Sequence, residues 1–208
     1  MDNLPPIYLD YAATTPLDPR VLAAMLPYLQ AVYGNPSSQH SFGRAARAAV
    51  DSARDAVADI LGARSSEIIF TSGGTEADNL ALKGVAHAAA SRGQHIITTA
   101  FEHHAVLGPC KTLAREGFQI TYIRPDNAGY ISAAQVATAL TPATTLVSVM
   151  YANNEIGTVQ PLAEIALICH ENGVYLHTDA VQAAGELPLN VDELGVDLLS
   201  LSGHKIYG

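Results

Sequence analysis

Thr145-Leu146-Val147-Ser148-Val149-Met150 is the stretch from which the fold can be read. Its apolar residues run nearly without interruption instead of alternating with polar ones. A strand with one face in water alternates, whereas a strand buried on both faces inside a parallel sheet does not. Polar residues follow at once, in Ala152-Asn153-Asn154-Glu155-Ile156-Gly157, at the mouth of the expected sheet. A short helix opened by Ser132 is predicted just before it, over 132–140.

The same alternation extends in both directions. Strands are predicted over 95–100, 118–123, 174–178 and 196–201, with helices over 105–117 and 161–173 between them. Upstream, 67–71 reads as a strand that turns through Ser72-Gly73-Gly74-Thr75-Glu76 into a helix reaching about Ser91 and closed by Gly93. Ala46, Ala49, Val50, Ala53, Val57, Ile60 and Leu61 recur at the three-four spacing of an amphipathic helix, which Gly62 stops. Asp18 and Pro19 open a helix through Tyr33, with Pro27 as a point of kinking. Ile7-Tyr8-Leu9-Asp10 reads as a short strand. Strands alternating with helices predict an α/β fold with a mostly parallel sheet and helices on both faces.

Composition narrows the partners. The 208 residues are 49% hydrophobic, enough for a substantial core. A net charge of −9 with scattered basic residues argues against nucleic acid or an anionic membrane. The N-terminus lacks a basic segment followed by an apolar run, and no stretch approaches the roughly 20 apolar residues of a membrane span. A soluble, cytoplasmic protein is expected. Cys110 and Cys169 stand apart without CxxC or histidine-rich company, so neither a disulfide nor a metal site is expected, and both read as packing residues.

In an open parallel sheet, ligands bind beyond the carboxyl ends of the strands, where the polar clusters of this chain fall. Gly73-Gly74-Thr75 exposes backbone N–H groups at a helix start, a place for phosphate, although glycine there can serve merely to close the turn. His103 and His104 follow a strand as possible metal ligands, base or aromatic platform. Adjacent helical residues diverge by about 100°, so one should face the site and one away. Asp179, with Gln182 three residues on, can pair with a cationic ring nitrogen and an adjacent oxygen, or can cap the next helix. The turn 34–40 is either a connector or a ligand-facing loop. Lys205, beyond a strand and a Ser-Gly-His turn, is either a solvent-facing lysine or, if burial frees its amine, a Schiff-base former. One ligand satisfies the clusters together if it carries a phosphate, a protonatable aromatic nitrogen and an aldehyde. Pyridoxal 5'-phosphate fits.

The chain also resembles the NifS/IscS-type cysteine desulfurases of the class V aminotransferase group. The resemblance rests on Tyr8-Leu9-Asp10-Tyr11-Ala12-Ala13-Thr14-Thr15-Pro16, Gly34-Asn35-Pro36-Ser37-Ser38, Phe70-Thr71-Ser72-Gly73-Gly74-Thr75-Glu76-Ala77-Asp78-Asn79, Glu102-His103, Asn153-Asn154-Glu155-Ile156-Gly157, His177-Thr178-Asp179-Ala180-Val181-Gln182 and Ser202-Gly203-His204-Lys205-Ile206-Tyr207-Gly208. It implies the large domain of a pyridoxal-phosphate-dependent transferase over 16–208, preceded by an N-terminal arm and active-site loop over 1–15. It also implies that Lys205 anchors the cofactor covalently, Asp179 keeps the ring nitrogen protonated and Gln182 bonds the ring oxygen. His103 would stack on the ring and share proton transfer with Lys205. Gly74, Thr75, Ser202 and His204 would hold the phosphate, while Asn154 and Asn35 would contact ring and substrate carboxylate. The implied reaction moves sulfur from L-cysteine to an enzyme cysteine as a persulfide and releases L-alanine, for uses such as iron–sulfur cluster assembly. The implied partners are a second copy of the whole protein and a sulfur-acceptor or scaffold protein.

Family members run on beyond the lysine through a small C-terminal domain with a carboxylate-binding arginine and the sulfur-accepting cysteine. Neither Cys110 nor Cys169 matches that acceptor. The 208 residues are therefore expected to be an N-terminal part that does not complete turnover alone. Other class V activities, a selenocysteine lyase or an aminotransferase, and a non-catalytic cofactor-binding fragment are the alternatives.

Overall fold

The decisive strand is observed where the sequence places it. In the computed structural model, which describes residues 6–208, β3 spans Thr144–Ser148 and is buried at every position. It is the centre of a five-stranded sheet in the order β2-β1-β3-β4-β5, with β1 His95–Thr99, β2 Gln119–Ile123, β4 Tyr175–Asp179 and β5 Leu198–Ser200. Every ladder is parallel.

Successive residues of a strand point to opposite faces, and the two cores divide accordingly. Ile96 and Leu146 pack with Leu82, Val106 and Leu113 under helices α3, Gly74–Ala88, and α4, His104–Arg115. Ile97, Val147 and Leu176 pack with Val136, Ile165 and Cys169 under α5, Ala133–Ala139, and α6, Leu162–Glu171. Helices on both faces are thus observed. Ile96, Ile97, Leu146 and Leu176 are completely buried, and each contributes about 1.5–3 kcal/mol by leaving water.

Local signals fix the remaining ends. Asp18 accepts the Arg20 N–H at the start of α1, Pro19–Gln30, with Pro19 at the first position. Gly62, at φ 68°, closes α2, Ser41–Leu61. Ser132 and Gln135 form a reciprocal capping box on α5. The short α7, Val191–Leu194, leads into β5. No described helix is long and apolar enough to cross a membrane.

Two predicted strands are absent. Residues 67–71 begin as the end of a 3-10 turn, Ser65–Glu67, and continue extended without a ladder, leaving Ile69 and Phe70 exposed. Ile7-Tyr8-Leu9-Asp10 likewise has no neighbouring strand and is exposed. Both have strand-forming side chains, but a strand exists only where another backbone accepts and donates its hydrogen bonds. The first five residues of the 1–15 arm lie outside the described residues.

The order of the sheet positions the site. From β1 the chain passes through α4 to β2 on one side, then returns across the other face through α5 to β3, β4 and β5. The direction of winding therefore reverses between β1 and β3. Loops leaving adjacent strands at such a reversal diverge and open a crevice beyond their carboxyl ends.

Candidate active site

A cavity of about 660 Å³ lies in that crevice. Its wall includes Gly74, Thr75, His103, Asn154, Asp179, Gln182, Ser202, His204 and Lys205, every residue to which the family resemblance gives a site role except Asn35. The Asn35 Oδ1 instead accepts the Ser37 N–H at 2.9 Å, holding its own turn.

One end of the cavity is suited to an anion. Gly73 adopts φ 154° and ψ −179°, a region open essentially to glycine alone, which swings the extended 68–71 segment into α3. Asp18, His40 and His103 cap α1, α2 and α4 with their side chains, but α3 has no side-chain cap. The N–H groups of its first turn lack intrahelical acceptors and add the positive end of the helix dipole. A Cβ on Gly74 would lie 2.9 Å from Val181 Cγ2 and 3.5 Å from Ser202 Cβ, so a side chain there would press on Val181 and narrow this wall. The hydroxyls of Thr75 and Ser202 stand in the same wall.

Asp179 ends β4 on the buried floor. Burial, and next the charge of Asp78, push its carboxyl up to about 6, against the pull of the Val181 N–H that donates to Oδ1 at 3.0 Å. Turns and no helix follow it, so it caps no helix. At neutral pH it is mostly a carboxylate with a strong preference for a cationic partner. His103 caps α4, its Nδ1 accepting the Ala105 N–H at 3.1 Å, which fixes the ring and leaves Nε2 without that duty. His104 begins α4 and does not line the cavity, so the two histidines divide as expected.

Lys205 sits in the 3-10 turn Gly203–Lys205, partly buried. Its Nζ and the Gln182 Nε2 both donate to the Ala12 carbonyl, the latter at 2.8 Å. The loop around Ala12 is fastened to the lysine turn by Thr15 N–H to the His204 carbonyl, 2.9 Å, and Tyr207 N–H to Thr15 Oγ1, 2.8 Å. Asn154 is presented by a turn that its neighbour organises: the Asn153 Oδ1 accepts the N–H groups of Glu155 and Ile156 at 2.9 and 3.0 Å.

Two buried acids escape sequence reasoning. Asp78, on α3, is 1% exposed, and neither carboxylate oxygen has a hydrogen-bond partner among the described residues. Its signal was periodicity, because it shares a helix face with Ala81 and Leu82. Glu102 had none. Its Oε1 accepts from Thr99 Oγ1 and from the Met150 N–H, both at 2.8 Å, tying the loop that carries His103 to the end of β3. Burial pushes Glu102 up to about 8.

Folded Glu102 therefore holds its proton more tightly than an unfolded glutamate, which titrates at about 4.3. Between those values the native state binds more protons than the unfolded state, so stability from this group falls as pH rises through the window toward about 8. Glu102→Gln should flatten that slope, by an amount on the order of a few kcal/mol across the window. Urea midpoints measured at several pH values check this, and an unchanged slope contradicts it.

Cys110 and Cys169 are fully buried, and burial pushes each thiol up to about 12. Neither forms appreciable thiolate at neutral pH, so neither is poised as a nucleophile. A thiol reagent should modify both only after denaturation; rapid labelling of the native chain contradicts this.

Comparison with known proteins follows the same pattern. The family model described as aminotransferase class-V matches residues 7–208. Cysteine desulfurase IscS of Dictyoglomus turgidum is 55% identical over 202 residues, which are 97% of this chain and 51% of that protein. The cysteine desulfurase of Homo sapiens is 54% identical over 206 residues, 99% of this chain and 45% of its own length. A solved structure described as SspA in complex with cysteine superposes with a TM-score of 0.94 at 44% identity, covering 97% of this chain and 58% of that one. The chain spans about half the length of the curated relatives it matches. With that match running from the Ile7 segment through the Lys205 turn, the chain belongs to the aminotransferase class-V family.

Proposed function

We propose that the cavity binds pyridoxal 5'-phosphate and that these residues form the cofactor-binding part of a cysteine desulfurase. The carrying observation is the set of groups that line one cavity. A helix start without a side-chain cap, a buried carboxylate of raised proton affinity and a lysine amine all border it. That set matches the phosphate, ring nitrogen and aldehyde of the cofactor.

When bound, the cofactor supplies an electron sink for charge developing at the substrate Cα. The first-turn N–H groups of α3, with Thr75, Ser202 and His204, hold the phosphate. Asp179 would keep a proton on the ring nitrogen, and the Gln182 Nε2, which donates here to the Ala12 carbonyl, would donate to the ring oxygen. Lys205 provides the covalent attachment, and with His103 Nε2 it moves protons at the reacting carbon. Asn154, which lines the cavity, would contact the ring and the substrate carboxylate. Asn35, whose side chain holds its own turn, is the further candidate for that carboxylate.

L-Cysteine is the substrate this reading favours, since a structural relative is described with cysteine bound. L-Alanine is the product. Because both cysteines here are buried and protonated, the sulfur passes to a thiol outside these 208 residues, and the residues alone do not turn over. A cytoplasmic homodimer serving iron–sulfur cluster assembly completes the reading.

Spectral titration tests cofactor binding. Pyridoxal phosphate should develop a protein-bound visible band, and pyridoxal, lacking the phosphate, should bind at least about tenfold more weakly, the effect of losing one or two charge-assisted hydrogen bonds. Equal affinities, or no band with folded protein, would contradict the assignment.

A further inference from the structure

Asp78 is the most buried acid in the site wall and has no role in the chemistry above. Its carboxylate, 1% exposed with both oxygens unpartnered, borders the cavity. The Asp78 Oδ1 stands 3.5 Å from His177 Nε2. His177 is itself completely buried, and its ring is held on both edges by hydroxyls, Nδ1 with Ser148 Oγ at 2.9 Å and Nε2 with Ser200 Oγ at 3.0 Å. His177 and Asp179 are two residues apart on β4 and so face the same side of the sheet, toward α3. The helix whose first-turn N–H groups line the cavity thus also brings a second carboxylate to its wall, on the face of the sheet that Asp179 shares with His177.

We propose that Asp78 is a positioning residue whose buried charge, steered by His177, strengthens the hold of Asp179 on a protonated ring nitrogen. The inference rests on the cofactor reading above. A carboxylate held in low dielectric next to Asp179 makes removal of a proton from an Asp179–cation pair more costly, because it leaves two negative charges together. Asp78 is the largest charge influence on Asp179, raising its proton affinity, while His177 and His103 lower it. The other titratable groups around the floor are Glu102 in the turn after β1, Glu76 on α3 and, across the cavity, Asp10, His204 and Lys205.

Carbon-13 carboxyl NMR of the cofactor-free chain reads the charge directly. Asp78→Asn, which keeps shape and removes charge, should move the Asp179 titration to lower pH, and Asp78→Glu should restore most of it. An unmoved Asp179 titration overturns the proposal without touching the cofactor reading. In the unaltered chain the Asp179 carboxyl should titrate well above the ordinary aspartate value of about 3.9, and an ordinary value overturns the proposal even if Asp78→Asn fails to fold. With cofactor, Asp78→Asn should weaken pyridoxal phosphate roughly tenfold, the equivalent of one unit of proton affinity. It should leave the 1-deaza analogue, which has no ring nitrogen, unchanged. Equal loss for both compounds means Asp78 only shapes the cavity, and overturns the charge role. If neither compound binds the unaltered chain, the cofactor reading fails instead, and the NMR result still decides the coupling.

Discussion

Lys205→Ala should abolish the visible band that pyridoxal phosphate acquires on this chain, while leaving the chain folded. Lys205 lies in a turn held mainly by backbone bonds to the 14–18 segment, Thr15 N–H to the His204 carbonyl and Asp18 N–H to the Tyr207 carbonyl at 3.0 Å. Removing the side chain costs one bond to the Ala12 carbonyl and the packing of a partly buried stem. The phosphate end and Asp179 remain, so non-covalent cofactor binding persists at reduced affinity. In the whole protein, turnover should fall by on the order of 10⁴ or more, the scale on which an enzyme loses a covalent group that acts with its base. Absorbance and alanine release are the measurements. A variant that keeps its band places the covalent link elsewhere.

Asp179→Asn carries the second large effect. Asparagine fits the same space and can still accept the Val181 N–H through its oxygen, but it cannot offset a cationic ring nitrogen. Turnover of the whole protein should drop by roughly 10² to 10³, as for loss of one preorganised electrostatic partner. The pH dependence should change with it. Because folded Asp179 is pushed up to about 6, its charge is present above that value and lost as pH falls through it. Cofactor affinity of the unaltered chain should therefore weaken below about pH 6. That acid limb should be missing from Asp179→Asn. Affinity measured from pH 5 to about 8 shows which holds, and an acid limb that survives in the variant assigns it to another group.

Much of this was legible along the chain, for a physical reason. Thr145-Leu146-Val147-Ser148-Val149-Met150 could be placed because burial on both faces leaves an uninterrupted apolar record in one dimension. Lys205, Asp179 and His103 could be placed at the cavity because a ligand crevice in a parallel sheet opens beyond the carboxyl ends of its strands, where all three fall. The segments at Ile7 and Ile68 failed because a ladder partner is remote in sequence, and local β-propensity says nothing about whether one exists. Asn35 shows the ambiguity of turn residues, whose side chains serve their own backbone as readily as a ligand. Glu102 and Asp78 were missed because an acid reads as surface until the folded chain encloses it. Asp78 sat in an apolar helical phase that, taken literally, would have buried it.

The central claim is that the cofactor is attached at Lys205, and the most direct measurement is chemical. The chain contains three lysines, Lys83 on α3, Lys111 on α4 and Lys205. After loading with pyridoxal phosphate, borohydride reduction and proteolysis, mass spectrometry should find the phosphopyridoxyl group on the peptide bearing Lys205 and not on those bearing Lys83 or Lys111. A label shared among the three lysines, or absent from Lys205, would contradict the account.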